Sequence, residues 1–171
     1  MNLKFKVATA NDAQFISDLV NAAYRPTGSH KGWTHESELI SGERTSPEQI
    51  LSLFCKYSYV LLSLKNDKLV ACIHVEIDGD CAILGMLATN PEFQGLGYGK
   101  KILAYAENFS SQKYSVYKYV MKVILSRSEL LDFYIRRGYK VTNITYDYPV
   151  SAGVGIPKVT GLRVGVLEKL A

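Results

Sequence analysis

The 171-residue chain reads as an α/β (α+β) protein, a single domain over residues 1–171 whose mixed, largely antiparallel sheet is covered by helices. Three observations predict this class. Strand-like and helix-like periodicities alternate along the chain, with no internal repeat or low-complexity tract. Two hairpin signals, Asn66-Asp67 and Asp78-Gly79, separate apolar runs. The run from Ala82 to Thr89 then passes through a glycine-rich turn into Lys100 to Phe109, where Ile102, Leu103, Ala106 and Phe109 follow a helical period.

Each element has its own signal. Residues 3–8 read as a strand, and residues 11–24 as a helix with Phe15, Ile16, Leu19, Val20 and Ala23 on one face. Residues 28–42 are polar and irregular. Ser46-Pro47-Glu48-Gln49 is a capping box with proline at the first helical position, opening a helix to about Tyr57. Residues 58–64, 69–77 and 81–89 read as strands joined by the two hairpin turns. After the glycine-opened helix, residues 119–125 form a buried strand and residues 128–137 a helix closed by Gly138. Residues 139–148 and 162–170 supply the last strands.

Composition excludes several classes. At 171 residues, 47% hydrophobic and 21% charged, the chain can bury a core without staples. The net charge of +4 comes without a basic run interleaved with aromatics, so no nucleic-acid partner is expected. No apolar stretch reaches the length of a membrane span and the polar N-terminus does not pattern as a signal peptide, so no membrane partner and a cytoplasmic location are expected. Cys55, Cys72 and Cys81 lack pairing spacing, and their apolar settings favour core roles in a reducing compartment. An Asp78-Gly79 turn would set Cys72 opposite Gly85. The histidines and cysteines make no metal-ligand cluster, and no metal is expected.

The chemistry concentrates at Gln94-Gly95-Leu96-Gly97-Tyr98-Gly99. A glycine turn between strand and helix leaves backbone N–H groups unpaired at the helix's positive end, where a phosphate fits. The same glycines also suit a tight connection that serves only local geometry. A P-loop needs Lys-Ser or Lys-Thr after its last glycine, whereas Lys100 and Lys101 follow Gly99. The spacing of Gly95, Gly97 and Gly99 also departs from the dinucleotide fingerprint.

The stretch from Met86 to Lys100 resembles the pyrophosphate-binding motif of the GNAT superfamily, the acyl-CoA-dependent N-acyltransferases. That motif runs Gln or Arg, two residues, Gly, one residue, then Gly or Ala, and Gln94, Gly97 and Gly99 match it. Phe133-Tyr134 followed by Gly138-Tyr139 is similar to the family's later helix, and residues 5–24 to its first strand and helix. The resemblance is weak over residues 26–47 and after Pro149. It implies a seven-stranded sheet with about four helices. It also implies acetyl-CoA as co-substrate, held by Met86, Leu87, Ala88, Thr89, Gln94, Gly95, Leu96, Gly97, Tyr98, Gly99 and Lys100. Tyr134 matches the tyrosine that protonates the departing CoA thiolate, although a helix tyrosine can equally pack by its ring. Many members carry an asparagine seven residues earlier; Arg127 stands there, and an arginine could reach a phosphate.

Acyl transfer to an amine must manage two protons, one from an amine of pKa ~10.4 and one for a thiol of pKa ~8.5. An N–H near Leu87 would polarise the thioester carbonyl. His74 and Glu76 share one face of their strand and are candidate bases, with a solvated sheet face as the other reading. Lys100 and Lys101 could touch phosphates or simply be solvated. The acceptor cleft is expected from residues 26–45, with exposed-looking Trp33, His35, Glu36, Glu38 and Arg44, and from residues 149–161. The expected function is transfer of an acetyl group from acetyl-CoA to a primary amine, on a small molecule or an exposed protein or peptide amine, by direct attack in a ternary complex. The alternative is a catalytically inactive CoA-binding sensor or interaction module. A homodimer is compatible with either.

Overall fold

A computed structural model describes residues 2–26 and 35–171. In chain order the elements are β1 (Leu3–Val7), α1 (Ala13–Tyr24), β2 (Ile40–Ser41), α2 (Pro47–Ser52), β3 (Ser58–Lys65), β4 (Lys68–Asp78) and β5 (Cys81–Thr89). There follow α3 (Tyr98–Tyr114), β6 (Lys118–Ile124), α4 (Ser128–Ile135), β7 (Lys140–Asp147), β8 (Ile156–Pro157) and β9 (Arg163–Leu170). Seven strands form one sheet in the order β1-β3-β4-β5-β6-β9-β7. Its pairings are antiparallel except β5 with β6. No helix among the described residues is long and apolar enough to cross a membrane.

Alternation along the strands divides the core between the two faces of the sheet. Leu61, Ile73, Val75 and Leu84 meet Ile102, Leu103 and Ala106 of α3 and Phe133 and Tyr134 of α4. Val60, Leu62, Cys72 and Ala88 meet Ile16, Leu19, Val20 and Ala23 of α1 and Ile50 of α2. Each fully buried aliphatic side chain contributes about 1.5–3 kcal/mol of transfer free energy, so this sandwich dominates stability.

Several expectations need correction. Phe15 is 65% exposed, because it sits about 100° around α1 from Ile16, off the stripe of Ala13, Ile16, Leu19, Val20 and Ala23. Helix α2 stops at Ser52 rather than near Tyr57, whose positive φ of 64° turns the chain into β3. The capping box is half made: Ser46 Oγ accepts from the Gln49 N–H, but the Gln49 side-chain amide donates to the Gly153 carbonyl. The second hairpin turns on Gly79-Asp80, since Asp78 pairs with Cys81. An irregularity between Cys72 and His74 then shifts the register, so Cys72 faces Ala88 and His74 faces Gly85. Cys72 is a core residue as expected, whereas Cys55 is exposed. The Asn66-Asp67 turn is as read, with both residues at positive φ, the requirement of a type I′ turn.

The two segments expected to form the acceptor cleft pair with each other. β2 and β8 form a separate two-stranded ribbon, Ile40 opposite Pro157 and Ser41 opposite Ile156. Arg25, just past α1, clamps this ribbon: its Nη1 donates to the Gly42 carbonyl at 2.9 Å and its Nη2 to the Val154 carbonyl at 2.7 Å. Gly155 has φ +112°, and a Cβ there would lie 2.3 Å from Arg25 Nη1 and 2.6 Å from the Ser41 carbonyl oxygen. Gly155→Ala is therefore expected to destabilise the fold by about 2 kcal/mol, combining overpacking with backbone strain. Urea unfolding of the two proteins measures the difference.

Candidate functional site

The site begins where two strands part. β5 and β6 pair only from Cys81–Lys118 to Leu84–Met121, while β6 continues along β9 to Ile124. Beyond Leu84 the edge of β5 that faced β6 is released. Met86 takes φ +49°, and Met86 and Leu87 fall in the gap in the β4 register. The Leu87 carbonyl instead accepts a 2.8 Å hydrogen bond from the Tyr24 hydroxyl of α1. Burial pushes the Tyr24 pKa up to about 12, with Arg44 and Arg127 pulling the other way, so the hydroxyl keeps its proton.

Next along the chain lies the glycine loop. Asn90 Oδ1 accepts from the Glu92 N–H, and Gln94 Nε2 donates to the Thr89 carbonyl. Gly95 and Gly97 both take φ +81°, and Gly97 caps α3. A Cβ on either would meet nothing within 4 Å, so the glycines answer to backbone conformation and leave the loop face open. Gly99 answers to contact, since a Cβ there would lie 3.2 Å from Thr89 Oγ1. The Lys101 N–H is the first to return into α3, to Gly97 O, which leaves the Tyr98, Gly99 and Lys100 N–H groups at the positive end of a 17-residue helix.

A cavity of about 210 Å³ opens on this loop. Leu87, Thr89, Gln94, Gly95, Gly97, Tyr98, Gly99 and Lys100 line it, and Arg127 and Tyr134 close it from the α4 side. Three expected cofactor residues stand apart. Met86 and Ala88 direct their side chains into the opposite core, leaving only backbone on this side, and Leu96 is 57% exposed outside the lining. Lys101 is also outside it, its Nζ 5.8 Å from the centre of the Tyr98 ring.

A second cavity, of about 250 Å³, lies between the parted strands, lined by residues 84–87 of β5 and 121–124 of β6. Both cavities share Tyr24, Leu87, Arg127, Leu130 and Tyr134 as a common wall. Tyr134 is 4% exposed, and burial, with Tyr24 adding to it, holds its pKa above the usual phenol value. Arg127 and Arg137 act against that rise. Tyr134 therefore stays protonated at neutral pH as a donor facing both spaces.

A buried ion cluster supports this wall. Glu36 is 4% exposed, contrary to its exposed-looking place in the sequence. Its Oε1 accepts from Arg25 Nη2 at 2.9 Å, and its Oε2 lies 3.6 Å from Arg127 Nη1. Arg127 is thus drawn toward Glu36 and lies 6.0 Å from the centre of the Tyr24 ring. Arg44 lines the second cavity, 5.5 Å from the centre of the same ring. His35 is half-buried and Glu38 exposed, neither lining the two cavities, and Trp33 lies outside the described residues.

His74 and Glu76 share a face of β4 as expected, but neither lines a cavity of this pair. Glu76 is exposed opposite Ile83. His74 stands one strand behind Gly85 of the second cavity, with Nε2 2.8 Å from Ser58 Oγ. Burial lowers its pKa, and Arg44 adds to the fall while Glu76 opposes it.

Comparison with known proteins agrees with this geometry. A family model described as an acetyltransferase (GNAT) domain matches residues 56–141. The PaiA N-acetyltransferase of Thermoplasma acidophilum, solved with coenzyme A, is similar at TM-score 0.74 and 18% identity, over 100% of both chains. A GNAT family acetyltransferase of Elizabethkingia anophelis with acetyl-CoA bound is similar at 0.72 and 15%, over 99% of each chain. A mutant of the spermidine N-acetyltransferase SpeG of Vibrio cholerae is similar at 0.71 and 13%, over 98% of this chain and 93% of that one. At these identities the likeness is one of fold. No curated protein sequence matches the chain.

Five residues that line the first cavity escaped sequence reading: Tyr24, Phe93, Leu130, Phe133 and Arg137. Tyr24 looked like the end of a helix, and Phe133 like half of a motif. Arg137 looked like a C-terminal helix charge, yet its guanidinium lies 3.6 Å from the centre of the Phe133 ring and lines the first cavity. Two outcomes follow from the buried charges. Glu36→Gln leaves two buried arginines facing a neutral amide, and is expected to cost about 3 kcal/mol in urea unfolding. The depressed His74 pKa means the unfolded chain binds more protons below 6.5, so its contribution falls as pH drops below 6.5 toward the folded value. His74→Gln is expected to flatten the loss of melting temperature between pH 7.5 and pH 5.

Proposed function

The chain belongs to the GNAT acetyltransferase family, and on that premise we propose that it transfers an acetyl group from acetyl-CoA to the primary amine of an acceptor by direct attack. The observation that carries this reading is the pair of cavities meeting at Leu87 and Tyr134, one opening on the glycine loop and one between the parted strands. A donor and an acceptor can then approach one reacting centre from opposite sides, which converts a bimolecular encounter into a positioned one.

The loop fits a pyrophosphate. Gly95 and Gly97 hold left-handed backbone with open space where side chains would stand, and the first N–H groups of α3 point at that space. Lys100 and Arg137 add positive charge to the same lining. Acetyl-CoA, when bound, supplies an activated thioester. The released edge of β5 offers backbone groups to an extended chain, and the Leu87 N–H is assigned to the thioester carbonyl. The Tyr24 hydroxyl holds the Leu87 carbonyl and so fixes the orientation of that bulge.

In the transfer a C–N bond forms and a C–S bond breaks. An acceptor that arrives as an ammonium gives up two protons, of which the thiolate takes one and solvent the other. Tyr134, protonated and facing both spaces, is assigned as donor to the thiolate. His74 and Glu76 are set back from the cavities, so loss of the amine proton is assigned to water in the second cavity, with His74 behind Gly85 as the nearest of the two candidate bases along the register.

Thiol release from acetyl-CoA across a panel of amines tests the reading. Tyr134→Phe is expected to lower kcat by about 100-fold while leaving acetyl-CoA affinity within about twofold of wild type. Binding of acetyl-CoA with no turnover on any amine would instead assign a CoA-binding sensor. If neither acetyl-CoA nor CoA binds, the proposal fails.

A further inference from the structure

We propose that the second cavity is an acceptor site for a small amine that also carries a carboxylate, an α-amino acid with an apolar side chain, and that Arg44 pairs with that carboxylate. The inference rests on the acyltransferase reading and names its acceptor class. Four charged residues line the cavity: Glu36, Arg44, Lys122 and Arg127. Glu36 alone is negative, and its two oxygens already face Arg25 and Arg127. No carboxylate of the lining is left for a second ammonium group, so a polyamine would meet uncompensated positive charge.

Arg44 and Lys122 are the two lining cations with no described carboxylate within ion-pair distance, and Arg44 is the more buried of the two. Arg44 is half-buried and lies against the Tyr24 ring. Residues 27–34, outside the described part of the chain, contain no Asp or Glu that could neutralise it. Its field reaches around the cavity wall, favouring the ionised forms of Tyr24 and Tyr148 and the neutral form of His74. The ring beside Arg44 is also the one whose hydroxyl holds Leu87. The Arg44 guanidinium lies 5.5 Å from the centre of that ring and the Leu87 carbonyl 2.8 Å from its hydroxyl, so the two flank one tyrosine, and an acceptor that joins them needs its amine and carboxylate close together.

The rest of the lining is apolar. Met121, Val123, Ile124 and Val164 offer apolar surface to an aliphatic or aromatic side chain. The volume of about 250 Å³ is small beside the roughly 300–1,000 Å³ of drug-sized sites, which favours a compact acceptor.

Leucine, methionine and phenylalanine, their amides and spermidine would be compared as acceptors, with the amides standing in for a peptide N-terminus. The amino acids are expected to exceed their amides in kcat/KM by about tenfold or more, the usual effect of one charge-assisted hydrogen bond, and to exceed spermidine. Arg44→Gln should erase the acid-over-amide preference, and Arg44→Lys should restore part of it, with circular dichroism confirming that both variants fold. Spermidine or an amide used as well as the acid overturns the inference, as does an unchanged preference in Arg44→Gln. Should no acceptor turn over, calorimetry with CoA present decides, and failure of the amino acids to bind more tightly than their amides overturns it. Loss of acetyl-CoA binding by wild type would instead overturn the acyltransferase reading beneath it.

Discussion

The parting of β5 from β6 beyond Leu84 is the constraint on which the rest of the site depends. A parallel pair with both faces covered would normally bury its edges completely. Here the pairing stops after four residues, and Met86 swings into the left-handed region. The released backbone must find other partners. Tyr24 supplies one for the Leu87 carbonyl, and the remaining edge borders both cavities. The two cavities and their shared wall all follow from that single divergence.

What orders the opening is charge as well as packing. Arg25 joins the end of α1 to the β2–β8 ribbon, and Glu36 joins Arg25 to Arg127 ahead of α4. Three elements distant in sequence are thereby held by one buried carboxylate between two guanidiniums. Such a cluster adds little net stability over apolar packing, but it strongly penalises arrangements that leave one member unpaired. It therefore specifies geometry around the cavities, and its excess positive charge sets the electrostatic character of the second one.

The glycine loop was legible in the sequence because its geometry is local. Gln94, Gly97 and Gly99 are close together, and their roles depend on backbone angles and helix position that nearby residues dictate. The hairpin at Asn66-Asp67, the strand from Cys81 to Thr89 and the glycine ending α4 were readable for the same reason. Errors arose where tertiary context intervened. Phe15 sat near an apolar stripe but outside its arc. Glu36 looked solvent-facing because nothing nearby in sequence reveals two arginines, one 11 residues before it and the other 91 after it. Gln49 looked like the second half of a capping box, yet Gly153 offered its side chain a different acceptor.

By itself the sequence determined the fold class, the order of strands and helices, and the glycine loop, since hydrophobic period and turn chemistry are set within short windows. The tertiary structure decided the bulge at Met86, the register that places Cys72 opposite Ala88, the ribbon of β2 and β8, and the gathering of Tyr24, Arg44, Arg127 and Tyr134 at one wall. Those features come from pairing between segments tens to more than a hundred residues apart, and no local pattern encodes which distant partner a side chain will meet.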